Sequence, residues 1–275
     1  MAGQMAGSSR SVGLGVMRSQ VKQLASGMLD LLYPHRCAGC RKVWLLFHQG
    51  GWCRDCLEQL PWIRSPLCPT CGVPFPDSPS SGDHTCGDCL EEPYFFDWAR
   101  SAAIYAGELR KRIHQLKFGG KLHWVPPLVD LLVQSLREQG PPDVECILPV
   151  PLHARRLRQR GFNQAGLIAR GLGSRLSLPA RFGILVRQRW TEPQTRLGRS
   201  ERLQNVKNAF AVAKPEVVKD RSILVLDDVF TTGTTLNECA RMLKKAGARR
   251  VYAWTIARAL PDWPDSGKSG MDGVK

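Results

Sequence analysis

Residues 223–236 read Ile223-Leu-Val-Leu-Asp-Asp-Val-Phe-Thr-Thr-Gly-Thr-Thr-Leu236, and this stretch decides the fold. Residues 223–226 are a short continuous apolar run, the pattern of a strand buried on both faces of a parallel sheet. Asp227 and Asp228 stand where that strand should end. A Thr/Gly loop follows, and Leu236, Ala240, Leu243 and Ala246 then recur at helical spacing. The chemistry therefore falls at the carboxyl end of a strand that opens onto a helix N-terminus. Open α/β sheets bind ligands there.

The residue types suit a phosphorylated sugar. Backbone N–H groups entering a helix carry partial positive charge and attract a phosphate. Gly233 lets the backbone approach without a Cβ in the way. Thr231, Thr232, Thr234 and Thr235 offer hydroxyl donors to the same anion. Asp227 and Asp228 repel a phosphate, but as acceptor-only carboxylates they suit the two hydroxyls of a ribose. Asp and Thr acting only as turn and helix caps is the bland alternative. The whole stretch resembles the phosphoribosyl-pyrophosphate (PRPP) loop of type I phosphoribosyltransferases. That likeness implies ribose hydroxyls on the two acids and the 5′-phosphate on residues 231–235. Phe230 departs mildly from the pattern, since an aliphatic residue is commoner there.

The chain has 275 residues, room for one full core and a smaller module. Its net charge of +15 favours polyanionic partners, phosphates or nucleic acid. No apolar run approaches the roughly 18 residues of a membrane span. Residues 1–20 are Gly/Ser-rich, without the apolar core of a signal peptide, so we expect a flexible tail and a reducing, cytoplasmic setting. Residues 21–32 read as a short amphipathic helix.

From Cys37 four Cys-x-x-Cys pairs follow one another: Cys37/Cys40, Cys53/Cys56, Cys68/Cys71 and Cys86/Cys89. Each pair places two thiolates on one tight turn, and two turns supply the four soft ligands of tetrahedral zinc. Gly39 and Gly72 ease two of these turns. A redox Cys-x-x-Cys would use a single pair. Sequential pairing, first with second and third with fourth, is preferred, and a cross-braced arrangement uses the same residues. With four thiolates no position is left for water, so both zincs are expected to be structural. His35, His48 and His84 are nearby, but no ligand is missing. Cys146 and Cys239 fall in a strand and a helix, as core thiols do.

Further along, residues 74–85 read as a loop and 98–105 as a strand. Residues 107–118 read as a basic helix and 124–138 as a second helix with Pro126 and Pro127 in its first turn. Residues 144–150 form a buried strand, and 149–164 a basic loop with Arg155, Arg156, Arg158 and Arg160 beside His153. A helix follows to about residue 176, then a strand at 183–186. The next basic stretch, 187–207, holds Arg187, Arg189, Arg196, Arg199 and Arg202. Strands at 209–212, 223–226 and 250–257 complete an α/β domain with a parallel sheet and helices on both faces. Residues 262–275 read as a polar tail. Gly267-Lys268-Ser269 in it is not a phosphate loop, because position 262 is Asp.

Both basic loops are nearly one-signed, whereas solvated faces usually mix charges. A pyrophosphate needs such donors, and so does a nucleic-acid backbone. Pro149-Val-Pro-Leu-His153 with Arg160-Gly-Phe-Asn-Gln164, between the cysteine pairs and the Asp-Asp loop, resembles the ComF/GntX family over about residues 31–259. The resemblance implies a double zinc ribbon at 21–93 and a type I phosphoribosyltransferase-like domain at 94–260, with tails at 1–20 and 261–275. It implies zinc, and magnesium with PRPP. It places residues 149–155 on the pyrophosphate side and makes 187–202 a mobile loop over the cleft. It further implies a cytoplasmic competence protein that handles incoming single-stranded DNA, with other DNA-uptake proteins at the inner face of the membrane as partners. The alternative is an active phosphoribosyltransferase with an unnamed acceptor.

Overall fold

The computed structural model describes residues 36–43, 51–75, 82–190 and 206–260. The expected tails, the helix at 21–32, His35 and His48 lie outside them. So do residues 76–81, half of the loop at 74–85, and Arg196, Arg199 and Arg202.

Two short helices, α1 (Arg54–Glu58) and α2 (Gly87–Glu91), begin directly after Cys53 and Cys86. Then come β1 (Trp98–Ile104), α3 (Gly107–Gly119), α4 (Val125–Gln139), β2 (Cys146–Pro149), α5 (Ala154–Arg160) and α6 (Gln164–Leu176). The chain continues through β3 (Leu185–Arg187), β4 (Phe210–Val212), β5 (Ser222–Phe230), α7 (Thr234–Lys245) and β6 (Arg250–Arg258). Four strands make the central sheet in the order β1-β6-β5-β2, and every pairing is parallel. Alternation along each strand divides the core. Ile147, Leu224, Leu226, Trp254 and Ile256 face α3, α4 and α6, while Leu148, Ile223, Val225 and Ala253 face α7.

Three local readings differ. The strand expected at 223–226 continues to Phe230, because β6 pairs with it as far as Phe230 opposite Arg258. Asp227 and Asp228 therefore lie inside a strand, not beyond its end. Residues 209–212 do not rejoin the sheet; β4 pairs antiparallel with β3 in a separate two-stranded ribbon over the α7 face. Within the loop expected at 149–164, Ala154–Arg160 is helical, capped by His153 and stopped by Gly161 at φ 81°. Its two apolar residues, Ala154 and Leu157, are both exposed, so no apolar periodicity could mark it.

The cysteine-rich segment clamps the β1 edge. Ile63 donates to the Ala102 carbonyl, Ile104 to Pro61 and Ala99 to Thr70. These bonds use backbone groups that an open edge strand would leave unpaired. Ala38, Trp52 and Leu60 of the first ribbon join the core on the α3–α4 face. Cys68, Cys71, Cys89 and Phe96 join the core on the α7 face. The two ribbons thus straddle the sheet.

Candidate functional site

Eight cysteines form two clusters, Cys37/Cys40/Cys53/Cys56 and Cys68/Cys71/Cys86/Cys89, and within each all four sulfurs lie within 4.8 Å of one another. This is the sequential arrangement; no cluster mixes the ribbons. Tetrahedral zinc with Zn–S bonds of about 2.3 Å needs sulfurs ~3.8 Å apart. Cys40 and Cys53 are 3.7 Å apart, Cys71 and Cys86 3.6 Å, and Cys68 and Cys89 3.8 Å. Backbone N–H groups also serve the ligands: Gly39 and Cys53 donate to Cys37 Sγ, and Cys86 donates to Cys68 Sγ. Burial pushes the Cys37 and Cys68 thiols up, but these donations outweigh it and bring each to about 7. The donor set fits zinc.

A second centre lies at the carboxyl ends of β5 and β2. Neighbouring strand residues point to opposite faces, which separates the two acids. Asp228 is buried and accepts from Lys117 Nζ of α3 at 3.0 Å and from Gln164 Nε2 of α6 at 3.0 Å. Gln164 in turn accepts from Arg160 of α5 at 2.6 Å. Burial disfavours the Lys117 charge, yet Asp228 and Asp227 outweigh it and raise its pKa. Asp227 is half-buried on the other side and accepts the N–H of Asp228 at 2.8 Å. Burial, and then the Asp228 charge, push the Asp227 carboxyl up to about 7, against the pull of Lys117 and Arg187.

An unfolded Asp loses its proton near pH 4, whereas folded Asp227 keeps it to about 7. The folded state therefore binds more protons between those values, and this group's contribution to stability is lost as pH rises through 7. A ligand hydroxyl that donates to Asp227 needs the carboxylate, so binding here should weaken about tenfold from pH 8 to pH 6. Asp227→Asn should flatten that dependence; calorimetry across this range checks it.

Beyond the acids the loop turns sharply. Gly233 caps α7 at φ 73°, and a Cβ there would sit 2.4 Å from the Phe230 ring. Its glycine thus answers to backbone conformation and to Phe230, a cause the sequence did not reveal. Thr231 is exposed and Thr235 half-buried, but Thr234 is buried and shares a 2.7 Å hydrogen bond with Thr232. The Thr232 carbonyl accepts from Tyr94 Oη at 3.2 Å.

Among the basic residues, Arg155 and Arg156 lie over the Trp190 ring at 4.9 and 5.7 Å, with His153 edge-on at 5.3 Å. Arg187 lies over Phe210 at 5.3 Å and is close enough to Asp227 to lower its pKa. Arg189 bonds the Lys207 carbonyl, and Arg158 is exposed. Arg199 lies outside the described residues. Sequence reasoning missed Lys117 and Gln164 as site residues. Lys117 was one cation among several on a basic helix, and Gln164 was only the last letter of a motif.

A family model described as a double zinc ribbon domain matches residues 28–90, and one described as a phosphoribosyl transferase domain matches 157–269. "DNA utilization protein YhgH" of Salmonella typhi is 35% identical over 236 residues, 84% of this chain and all of that one. "Competence protein F" of Haemophilus influenzae is 35% identical over 82% of this chain and 98% of its own. This chain belongs to the ComF/GntX family. A more distant ComF/GntX relative, "Competence protein ComFC" of Bacillus subtilis, is 27% identical over 80% of the chain and 89% of its own length. Among solved structures, adenine phosphoribosyltransferase from Leishmania tarentolae aligns at 16% identity and a TM-score of 0.34, covering 54% of this chain and 62% of that one. Among the described residues no helix is long and apolar enough to cross a membrane.

Proposed function

We propose that this chain binds magnesium–PRPP where β5 meets α7 and handles single-stranded DNA on the adjoining α5 face. The observation that carries the first half is the acidic pair held above the Thr/Gly turn into a twelve-residue helix. Asp228, fixed by Lys117 and Gln164, orients the strand end. Asp227 and the N–H groups of residues 232–235 are left to receive ribose hydroxyls and the 5′-phosphate. Magnesium arrives with the pyrophosphate, whose donors are Arg155, Arg156 and Arg160 beside His153.

The DNA half rests on charge and on two rings beside it, Trp190 half-buried and Phe118 exposed. Helix α5 sets Arg155 and Arg156 against Trp190 and Arg160 against Phe118, at 5.4 Å. Phe118 is 66% exposed. Single strands bind where cations track the backbone and aromatic faces receive bases. The relatives named for competence and DNA utilization support this reading. Fluorescence polarisation with a labelled single strand tests it. Replacing Arg155, Arg156 and Arg158 by Ala should weaken binding and lower the salt slope by about 2. Trp190→Ala and Phe118→Ala should each weaken it roughly 5- to 100-fold at an unchanged slope. Unaltered affinity in all of these variants would place DNA elsewhere, on the zinc ribbons first.

A transferase reading is favoured by one feature, the half-buried Asp227 beside the Thr/Gly turn, whose carboxyl burial and the Asp228 charge push up toward the range where a proton acceptor works. The ribose C1 would then lose pyrophosphate and gain the acceptor's nucleophilic atom, whose proton passes to Asp227. Pyrophosphate release that depends on an added nucleophile, and disappears in Asp227→Asn at saturating magnesium–PRPP, would establish it.

A further inference from the structure

Two arginines are buried among the described residues, Arg112 and Arg258, and each grips one zinc knuckle. Arg112 of α3 donates to the Ala38 and Gly39 carbonyls of the first knuckle, and its guanidinium lies over Trp124. Arg258 ends β6. Its Nη1 donates to the Cys71 carbonyl at 2.6 Å, and its Nη2 lies 3.6 Å from Cys71 Sγ. The two grips differ in what stands behind them. Behind Arg112 is a helix. The Arg258 guanidinium stacks 4.1 Å from the centre of the Phe230 ring, and that ring fills the space under Gly233.

We propose that Arg258 is a positioning residue that couples the second zinc cluster to the phosphate loop. Where the four thiolates surround zinc, the cluster keeps a net negative charge. Arg258 is buried beside it and is held by that charge and by the Cys71 carbonyl. Its planar face then fixes Phe230, and Phe230 fixes the left-handed turn at Gly233 from which α7 starts. A second route runs parallel: Tyr94 and Phe96, just beyond Cys89, stand edge-on to Phe230 at 6.5 and 6.4 Å. Tyr94 also holds the Thr232 carbonyl, and the Phe95 N–H donates to Asn237 of α7 at 2.7 Å. Coupling of this kind is reciprocal, so a ligand on the loop stabilises the cluster as much as the cluster stabilises the loop. The ligand arm of this inference rests on the proposed PRPP site; the loop arm does not.

The test uses the full, zinc-loaded chain. Hydrogen exchange of the amides at 229–235 is compared in wild type, Arg258→Lys and Arg112→Lys. Arg258→Lys keeps the charge but loses the planar face and the second donor. It should retain two zincs per chain and speed loop exchange at least tenfold, while Arg112→Lys leaves the loop unchanged. Chelator-driven zinc release is then timed with and without magnesium–PRPP. In wild type the ligand should slow one of the two zincs at least fivefold, and in Arg258→Lys by clearly less, because only the Tyr94 and Phe96 route remains. Loop exchange at the wild-type rate in a zinc-loaded Arg258→Lys would overturn the proposal. Should that variant not fold, Phe230→Leu breaks the same link from the loop side. It should loosen the loop while zinc release without ligand stays at the wild-type rate, and an unchanged loop there also overturns the proposal. If PRPP does not bind at all, only the zinc-release arm is lost and the exchange arm still decides.

Discussion

Cys71→Ser should cut the zinc content from two atoms per chain to one and lower the unfolding temperature by about 10 °C or more. The cluster it disrupts is not an appendage. Cys68, Cys71 and Cys89 are buried with Phe96, Ala99 and the α7 face of the sheet, so releasing the metal uncovers part of the main core. Structural zinc contributes roughly 10 kcal/mol or more to the folding of small modules. Even a fraction of that moves a chain of this size by the stated amount. The chemistry of the site adds a second penalty. Burial pushes Cys71 up to about 11 and Cys89 higher still, so the four thiols do not share one site as thiolates without a cation. Zinc quantification beside thermal melting, each with and without chelator, checks both parts. A Cys71→Ser protein that keeps two zincs and its wild-type melting temperature would contradict the assignment.

Lys117→Met should destabilise the fold by about 2–3 kcal/mol, and adding Asp228→Asn should recover most of that loss. Asp228 is 3% exposed and its charge is compensated by Lys117 at 3.0 Å. Removing one partner of a buried pair leaves an uncompensated charge at about 3–5 kcal/mol. The Lys117 side chain is 26% exposed, which places the expected loss below that range. Gln164 remains as a neutral donor and holds the Asn of the double variant as it held the Asp. Denaturant titration of the two single variants and the double gives the coupling directly. Additive losses would mean that Lys117 and Asp228 do not act as a pair.

The parts of this protein that were legible in its sequence are those written in local patterns. The apolar run at 223–226 gave a strand, helical spacing gave α7, glycine and proline punctuation marked α3 and α4, and four cysteine pairs gave the two clusters. Where the sequence misled, competing long-range forces decided. Two aspartates look like a strand end, yet pairing with β6 carries β5 on to Phe230. Strands β3 and β4 carry apolar residues like the others, and nothing local says that they pair with each other over α7. The site divides in the same way. The acids and the threonine loop were visible as a motif. The reach of Lys117 from α3, the relay from Arg160 through Gln164, and the seat of Phe230 beneath Gly233 exist only after folding. Phe230 is the instructive residue. By sequence it was a mild departure in a loop; in the fold it is the piece against which the loop is formed.

Whether β5 and the start of α7 bind a phosphorylated ribose is decided by calorimetric titration of the zinc-loaded chain with magnesium–PRPP. One site per chain is expected, bound more tightly at pH 8 than at pH 6. Replacing both Asp227 and Asp228 by Asn should lower affinity at least a hundredfold while zinc stays at two per chain. Binding that survives the double substitution, or no binding by folded wild-type protein carrying both zincs, would contradict the assignment.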